Sequence, residues 1–166
     1  MMLELHNVTI GQQIRGLSAT VGEGKVLSIM GSQGSGKTSL LRALMGFLAI
    51  DGGHISIDGE LLTPLSAPWF RQQMAYVPQH LEVPEGFVFE TGGRRKEEGE
   101  YSQPSYMWLL NRAVKSGKML LFVDEPRETL SIADAERAER LICEAAERGA
   151  TVVAVNFCKT PNKVQL

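Results

Sequence analysis

Apolar and polar residues alternate along Leu3-Glu4-Leu5-His6-Asn7-Val8 and again along Leu17-Ser18-Ala19-Thr20-Val21, the period of half-buried strands, with Gly11 to Gly16 as a short turn between them. Val26-Leu27-Ser28-Ile29-Met30 reads as a more buried strand running into a glycine-rich loop. A helix is expected from about Lys37, because Leu40, Leu41, Leu44, Phe47 and Leu48 recur at helical spacing, and Asp51-Gly52-Gly53 stops it. His54-Ile55-Ser56-Ile57-Asp58-Gly59 is a strand with its turn, and Met74-Ala75-Tyr76-Val77 a short strand closed by Pro78. Periodicity is lost from His80 to about Pro104, a stretch expected to be a mobile loop, and returns as a helix over Tyr106 to Val114 that ends near Gly117. Met119 to Val123 is a continuous apolar run of the kind that parallel sheets bury on both faces. Ser131 and Asp134 have the spacing of a capping box for a helix that turns Ile132, Ala135, Ala138, Ile142 and Ala145 inward and ends at Gly149. Thr151 to Val155 is expected to be the last strand. Strands alternating with helices in this way predict an α/β domain whose ligand sits at the carboxyl ends of the strands.

Composition narrows the function. The 166 residues suit one domain, 1–166, with 43% apolar and 22% charged residues, an ordinary globular balance. No apolar stretch is long enough to cross a bilayer, so a soluble protein is expected. A net charge of −2 leaves no basic face for nucleic acid, and no nucleic-acid partner is expected. Cys143 and Cys158 lack metal-ligand spacing and read as buried thiols of a reducing compartment. His6 and His54 alternate with apolar strand residues and read as outward-facing.

Two segments carry chemistry. Gly31-Ser32-Gln33-Gly34-Ser35-Gly36-Lys37-Thr38 fits the phosphate-binding loop pattern in full and lies between an apolar strand and an amphipathic helix, where that pattern has meaning. Gly34 and Gly36 let successive amide N–H groups converge on phosphate oxygens, with the positive end of the following helix adding to the field. Lys37 supplies a point charge for the β and γ phosphates, Thr38 a hydroxyl ligand for Mg²⁺, and Ser39 completes the phosphate-binding set. The second segment, Met119-Leu120-Leu121-Phe122-Val123-Asp124-Glu125-Pro126, ends a buried strand in two acids. A carboxylate there is costly unless something cationic faces it, which assigns Asp124 to Mg²⁺, directly or through water. Glu125 is placed to polarise a water for attack on the γ phosphate.

These residues, with Asp51-Gly52-Gly53-His54-Ile55-Ser56-Ile57-Asp58-Gly59, Tyr76-Val77-Pro78-Gln79 and Thr151-Val152-Val153-Ala154-Val155, make the chain resemble the nucleotide-binding subunits of ABC transporters over most of its length. The resemblance implies an ABC ATPase-like core, a mostly parallel sheet flanked by helices with an N-terminal antiparallel β part. It implies binding and hydrolysis of MgATP. Gln79 becomes the glutamine that approaches the Mg²⁺ and attacking-water region and couples nucleotide state to a partner. A homodimer or heterodimer partner, a transmembrane permease, and a cytoplasmic location peripheral to the inner face of the membrane follow by family analogy alone.

The same comparison exposes departures. No LSGGQ-type signature occurs: Tyr101-Ser102-Gln103-Pro104-Ser105 holds its position, while Thr91-Gly92-Gly93-Arg94 looks more similar but falls too early. The interval from Gln79 to Tyr101 is too short for the family's helical subdomain, so 80–105 reads as a reduced remnant. The switch histidine falls near Asn156-Phe157, and phenylalanine cannot hydrogen-bond a phosphate. Arg127-Glu128-Thr129-Leu130-Ser131 keeps only the leucine of the usual inter-subunit loop, and Ile10 stands where an aromatic would stack on adenine. Groups that hold nucleotide within one subunit are intact and those acting across a dimer are altered. Binding is therefore expected more firmly than turnover, with a non-hydrolysing nucleotide switch and a decayed scaffold as the alternatives.

Overall fold

The computed structural model describes residues 1–79, 105–124 and 130–166. Two sheets and four helices form the described fold. Strands β1 (Leu3–Ile10) and β2 (Ile14–Val21), with β4 (Gly52–Ile57) and β5 (Glu60–Leu61), make an antiparallel sheet in the order β2-β1-β4-β5. Strands β3 (Val26–Met30), β6 (Met74–Val77), β7 (Leu120–Val123), β8 (Thr151–Val155) and β9 (Lys163–Gln165) make a parallel sheet in the order β6-β7-β8-β3-β9. The helices are α1 (Lys37–Leu44), α2 (Ala67–Arg71), α3 (Tyr106–Lys115) and α4 (Ile132–Glu147).

The parallel sheet separates two cores. Leu120 and Phe122 of β7 and Val153 and Val155 of β8 face α1 and the antiparallel sheet, whose Leu3, Leu5, Leu40, Leu41 and Leu44 complete the larger cluster. The alternate residues Leu121, Val123, Val152 and Ala154 face Leu110 of α3 and Ala138, Ile142 and Ala145 of α4. Side chains of successive strand residues point to opposite faces, so these unbroken apolar runs require helices or sheet on both sides. β3, β6 and β8 fall where the apolar runs predict them.

Several expectations need correcting. β2 begins at Ile14, so the first turn is shorter than expected. α1 ends at Leu44: Gly46 adopts φ 72°, and a Cβ there would come within 2.6 Å of Ala67 Cβ, so the chain turns and packs on α2 instead of continuing. Phe47 is consequently 66% exposed, with the Arg71 guanidinium 4.8 Å from its ring centroid, and Leu48 is also exposed. Ile132 is 84% exposed because it lies in the first turn of α4, ahead of the packed stripe. The Ser131 cap does form, its Oγ accepting from the Asp134 N–H at 3.2 Å and donating to the Asp134 carboxylate at 3.0 Å. Cys143 is only half-buried and Cys158 is exposed. β8 is not the last strand, since β9 follows and pairs with β3. His6 and His54 do face outward, as register partners across β1 and β4 with stacked rings. The stretch His80 to Pro104, including both candidate signature segments, and the loop 125–129 lie outside the described residues.

Candidate functional site

The phosphate-binding loop joins β3 to α1 at the carboxyl end of the parallel sheet. Gly34 at φ 80° and Gly36 at φ 95° supply left-handed bends that other L-residues adopt at a cost. Gly36 is the N-cap of α1 and offers no side-chain cap, and no acid lies within the helix's own first turn, so its leading amides are not used up by a local side chain. Gly31 is needed for a different reason, close approach: a Cβ there would overlap Ser35 Oγ. Ser35 Oγ is itself buried without a hydrogen-bond partner, while Ser32 and Gln33 are exposed and Ser39 is half-buried.

Lys37 is 6% exposed, and its Nζ donates to the carbonyls of Gly31 at 3.0 Å and Ser32 at 2.7 Å. The ammonium therefore bends back across the loop that precedes it, bringing its charge to the mouth of the loop. Thr38 Oγ1 donates to Asp124 Oδ2 at 3.0 Å and so links the first turn of α1 to the end of β7. This contact unites the two segments that the sequence separates by more than half its length.

Asp124 is 2% exposed, and its second oxygen, Oδ1, has no hydrogen-bond partner. Burial raises its carboxyl above the usual carboxylate range, while hydrogen bonds from Thr38 and Tyr76 and the charges of Lys37 and Arg42 pull it back. A buried carboxylate oxygen without a donor is costly, and a divalent cation with hard oxygen ligands is the group that would relieve it. The residues present fit Mg²⁺: the Thr38 hydroxyl and Asp124 carboxylate are oxygen donors beside a phosphate-binding loop.

Two tyrosines that sequence reasoning missed converge on Asp124. Tyr76 Oη donates to Asp124 Oδ2 at 3.4 Å, and Tyr106 Oη donates to the Asp124 main-chain carbonyl at 3.1 Å. Burial, then the Asp124 charge, pushes the Tyr76 hydroxyl up to about 12 and the Tyr106 hydroxyl higher still, so both are donors at neutral pH. Neither tyrosine had a signal in the sequence: Tyr76 reaches the face of Asp124 through its parallel register opposite Phe122, and Tyr106 through the packing of α3.

Gln79 is half-buried two residues past the end of β6. Glu125 lies outside the described residues. Ile10, considered for the base site, is 7% exposed and belongs to the larger core, so it offers no stacking surface. Gln13 instead reaches the loop, donating from Nε2 to the Gly34 carbonyl at 3.2 Å. At the end of β8, Phe157 is 1% exposed in the α3–α4 core, its N–H bonded to Ser28 Oγ at 3.0 Å. Its neighbour Asn156, at φ 53°, accepts from the Gly31 N–H through Oδ1 at 3.4 Å.

Comparisons with known proteins agree with this geometry. The arabinose import ATP-binding protein AraG of Rhizobium etli is 31% identical over 93% of this chain and 38% of its own length. The manganese transport system ATP-binding protein MntB of Listeria monocytogenes is 24% identical over 93% of this chain and 79% of its own. Among the first curated relatives matched, the chain spans no more than 38% of their length. A putative ABC transporter ATP-binding protein from Pyrococcus furiosus has the same fold, with TM-score 0.71 at 16% identity over 100% of this chain and 98% of its own. An ATP-binding subunit of an ABC transporter superposes with TM-score 0.75 at 17% identity, covering 99% and 88% of the two chains. The profile of the ABC transporter family matches residues 14–151, and on that extent of agreement the chain belongs to the ABC transporter family.

Proposed function

We propose that this chain binds MgATP at the loop of residues 31–39 and hydrolyses it slowly as the ATP-binding component of an ABC transport system. The observation that carries the reading is the pairing of Thr38 with a buried Asp124 whose Oδ1 lacks a partner, beside an uncapped helix N-terminus. Amides of the loop and first turn of α1 hold the phosphates, and Lys37 balances charge on the β and γ groups. Thr38 and Asp124 would hold the cation, and Gln79, just past β6, would be its further protein ligand. Bound Mg²⁺ supplies charge neutralisation for the transferring phosphoryl group. Glu125 orients the attacking water, and water attacks in line with the departing ADP.

The test is calorimetric titration with ATP and magnesium, paired with phosphate release on the same sample. Release should vanish in Lys37→Ala and Glu125→Gln, and full-rate release from both variants would reject the assignment.

One observation favours a second reading, a nucleotide switch without turnover: Phe157 is locked in the core at the strand end where a phosphate-contacting side chain is expected. Loss of one aligned transition-state donor costs roughly 10²–10³ in rate. Tight binding with no release over hours would select this reading. AraG and MntB are named as import and transport ATP-binding proteins, which supports a role in transport; a second ATP-binding subunit and a membrane permease as partners belong to this reading by family analogy.

A further inference from the structure

The Thr38–Asp124 pair belongs to the phosphate-loop reading, but the second donor on the same carboxylate oxygen does not. Tyr76 stands on β6 directly opposite Phe122 of β7, so its side chain leaves the sheet on the face where Asp124 and Thr38 meet. Its hydroxyl and that of Thr38 both donate to Oδ2, at 3.4 and 3.0 Å, while Oδ1 of the same buried group has none. From the other face of the sheet, Tyr106 holds the Asp124 main-chain carbonyl at 3.1 Å.

The division of labour between the two hydroxyls is chemical. Thr38 has two duties, because its oxygen must offer a lone pair to the cation while its proton goes to Asp124. It also rides on α1, which answers to whatever the loop holds. Tyr76 has one duty, and it comes from the strand hydrogen-bonded to the one that carries Asp124, so its position relative to that residue is set by the sheet ladder.

We propose that Tyr76 is a positioning residue for the divalent cation: by saturating Oδ2 together with Thr38, it fixes the Asp124 carboxylate in the orientation that leaves Oδ1 for the cation or a water bound to it. Partners that orient a metal ligand without touching the metal are worth about 10- to 100-fold in metal affinity. This rests on the MgATP binding proposed above and deepens it.

The experiment follows the fluorescence of mant-ATP on the full chain, titrated with MgCl₂ and repeated in EDTA, alongside melting of the unliganded protein. Tyr76→Phe removes one oxygen from a side chain that is 36% exposed, so the fold should persist. The expected result is an Mg²⁺ requirement raised about 10-fold, with affinity in EDTA and melting temperature unchanged. An unaltered Mg²⁺ requirement in Tyr76→Phe, with a normally responding wild type, overturns the role of Tyr76 alone. Equal loss of affinity in Mg²⁺ and in EDTA, or a melting temperature that falls in step, makes the residue merely structural and also overturns it. A wild type that binds no mant-ATP, or binds it without regard to Mg²⁺, overturns both this role and the reading beneath it.

Discussion

The ends of β7 and β8 lie side by side at the same edge of the parallel sheet, yet they have been put to opposite uses. β7 ends in Asp124, a charge kept in a dry place with one oxygen left over, held on both sides by hydroxyls. β8 ends in Asn156 and Phe157, whose ring fills the α3–α4 core and whose neighbour ties back to Gly31. The first strand end carries a desolvation cost that its hydrogen bonds and nearby cations offset only in part, with one oxygen still unpartnered. The second contributes stability and has no group to offer a ligand beyond an amide already turned to the loop. Adjacent strand ends in one sheet can thus be selected separately for binding and for packing.

The largest effect that would test this contrast is Phe157→Ala. Removing a fully buried ring should cost about 3–5 kcal/mol in urea unfolding, with nucleotide affinity of the folded fraction unchanged. A large loss of affinity with little loss of stability would place Phe157 in the binding apparatus and break the contrast. Next in size, Lys37→Ala should weaken ATP binding on the order of 100-fold, or about 3 kcal/mol, because a desolvated cation is lost opposite phosphate. Calorimetry measures it directly.

Asp124→Asn should act in the reverse direction on stability. Burial raises the carboxyl of Asp124, so the folded state holds its proton more tightly than the unfolded state does. The stability this gives is complete at low pH and is lost as pH rises through the raised value. In EDTA at neutral pH the asparagine variant should therefore melt higher than wild type, by about 1 kcal/mol in stability, and the gap should close as pH falls into the carboxylate range. Wild-type protein that melts higher across the whole range would contradict a ligand-dependent cost at β7. The smallest effect belongs to the packing side. Arg148, the C-cap of α4, pairs with Glu144 one turn earlier at 3.6 Å, with both side chains largely exposed. Arg148→Ala should therefore cost only about 0.3–0.5 kcal/mol in urea unfolding.

Local patterns were legible where the motif encodes its own conformation. The glycines at 34 and 36, Lys37, Thr38 and Asp124 each have a role readable from residue type and order, and the structure brings Thr38 and Asp124 within a hydrogen bond. Buried on both faces, β7 announced itself as an unbroken apolar run. What escaped depended on distant packing. The end of α1 is set by Gly46 against Ala67, not by the apolar repeat, which continues through Phe47 and Leu48. α2 has five residues, too few for a helical period to declare itself. Tyr76 and Tyr106 reach Asp124 only through strand register and helix placement, and neither is visible in a linear motif. β9, three residues with one partly buried valine, exists because β3 has an edge to fill.

That pairing has a consequence for synthesis. β3, which delivers the chain into the phosphate loop, is bordered by β8 on one edge and β9 on the other, and Leu166 N–H reaches the Met30 carbonyl at 2.8 Å. Both neighbours are translated long after β3 itself. Contacts of such sequence separation close slowly. A ribosome must release both of these strands before the loop acquires its flanking ladder, so nascent chains should gain nucleotide-dependent protease resistance abruptly, once β8 and β9 have emerged.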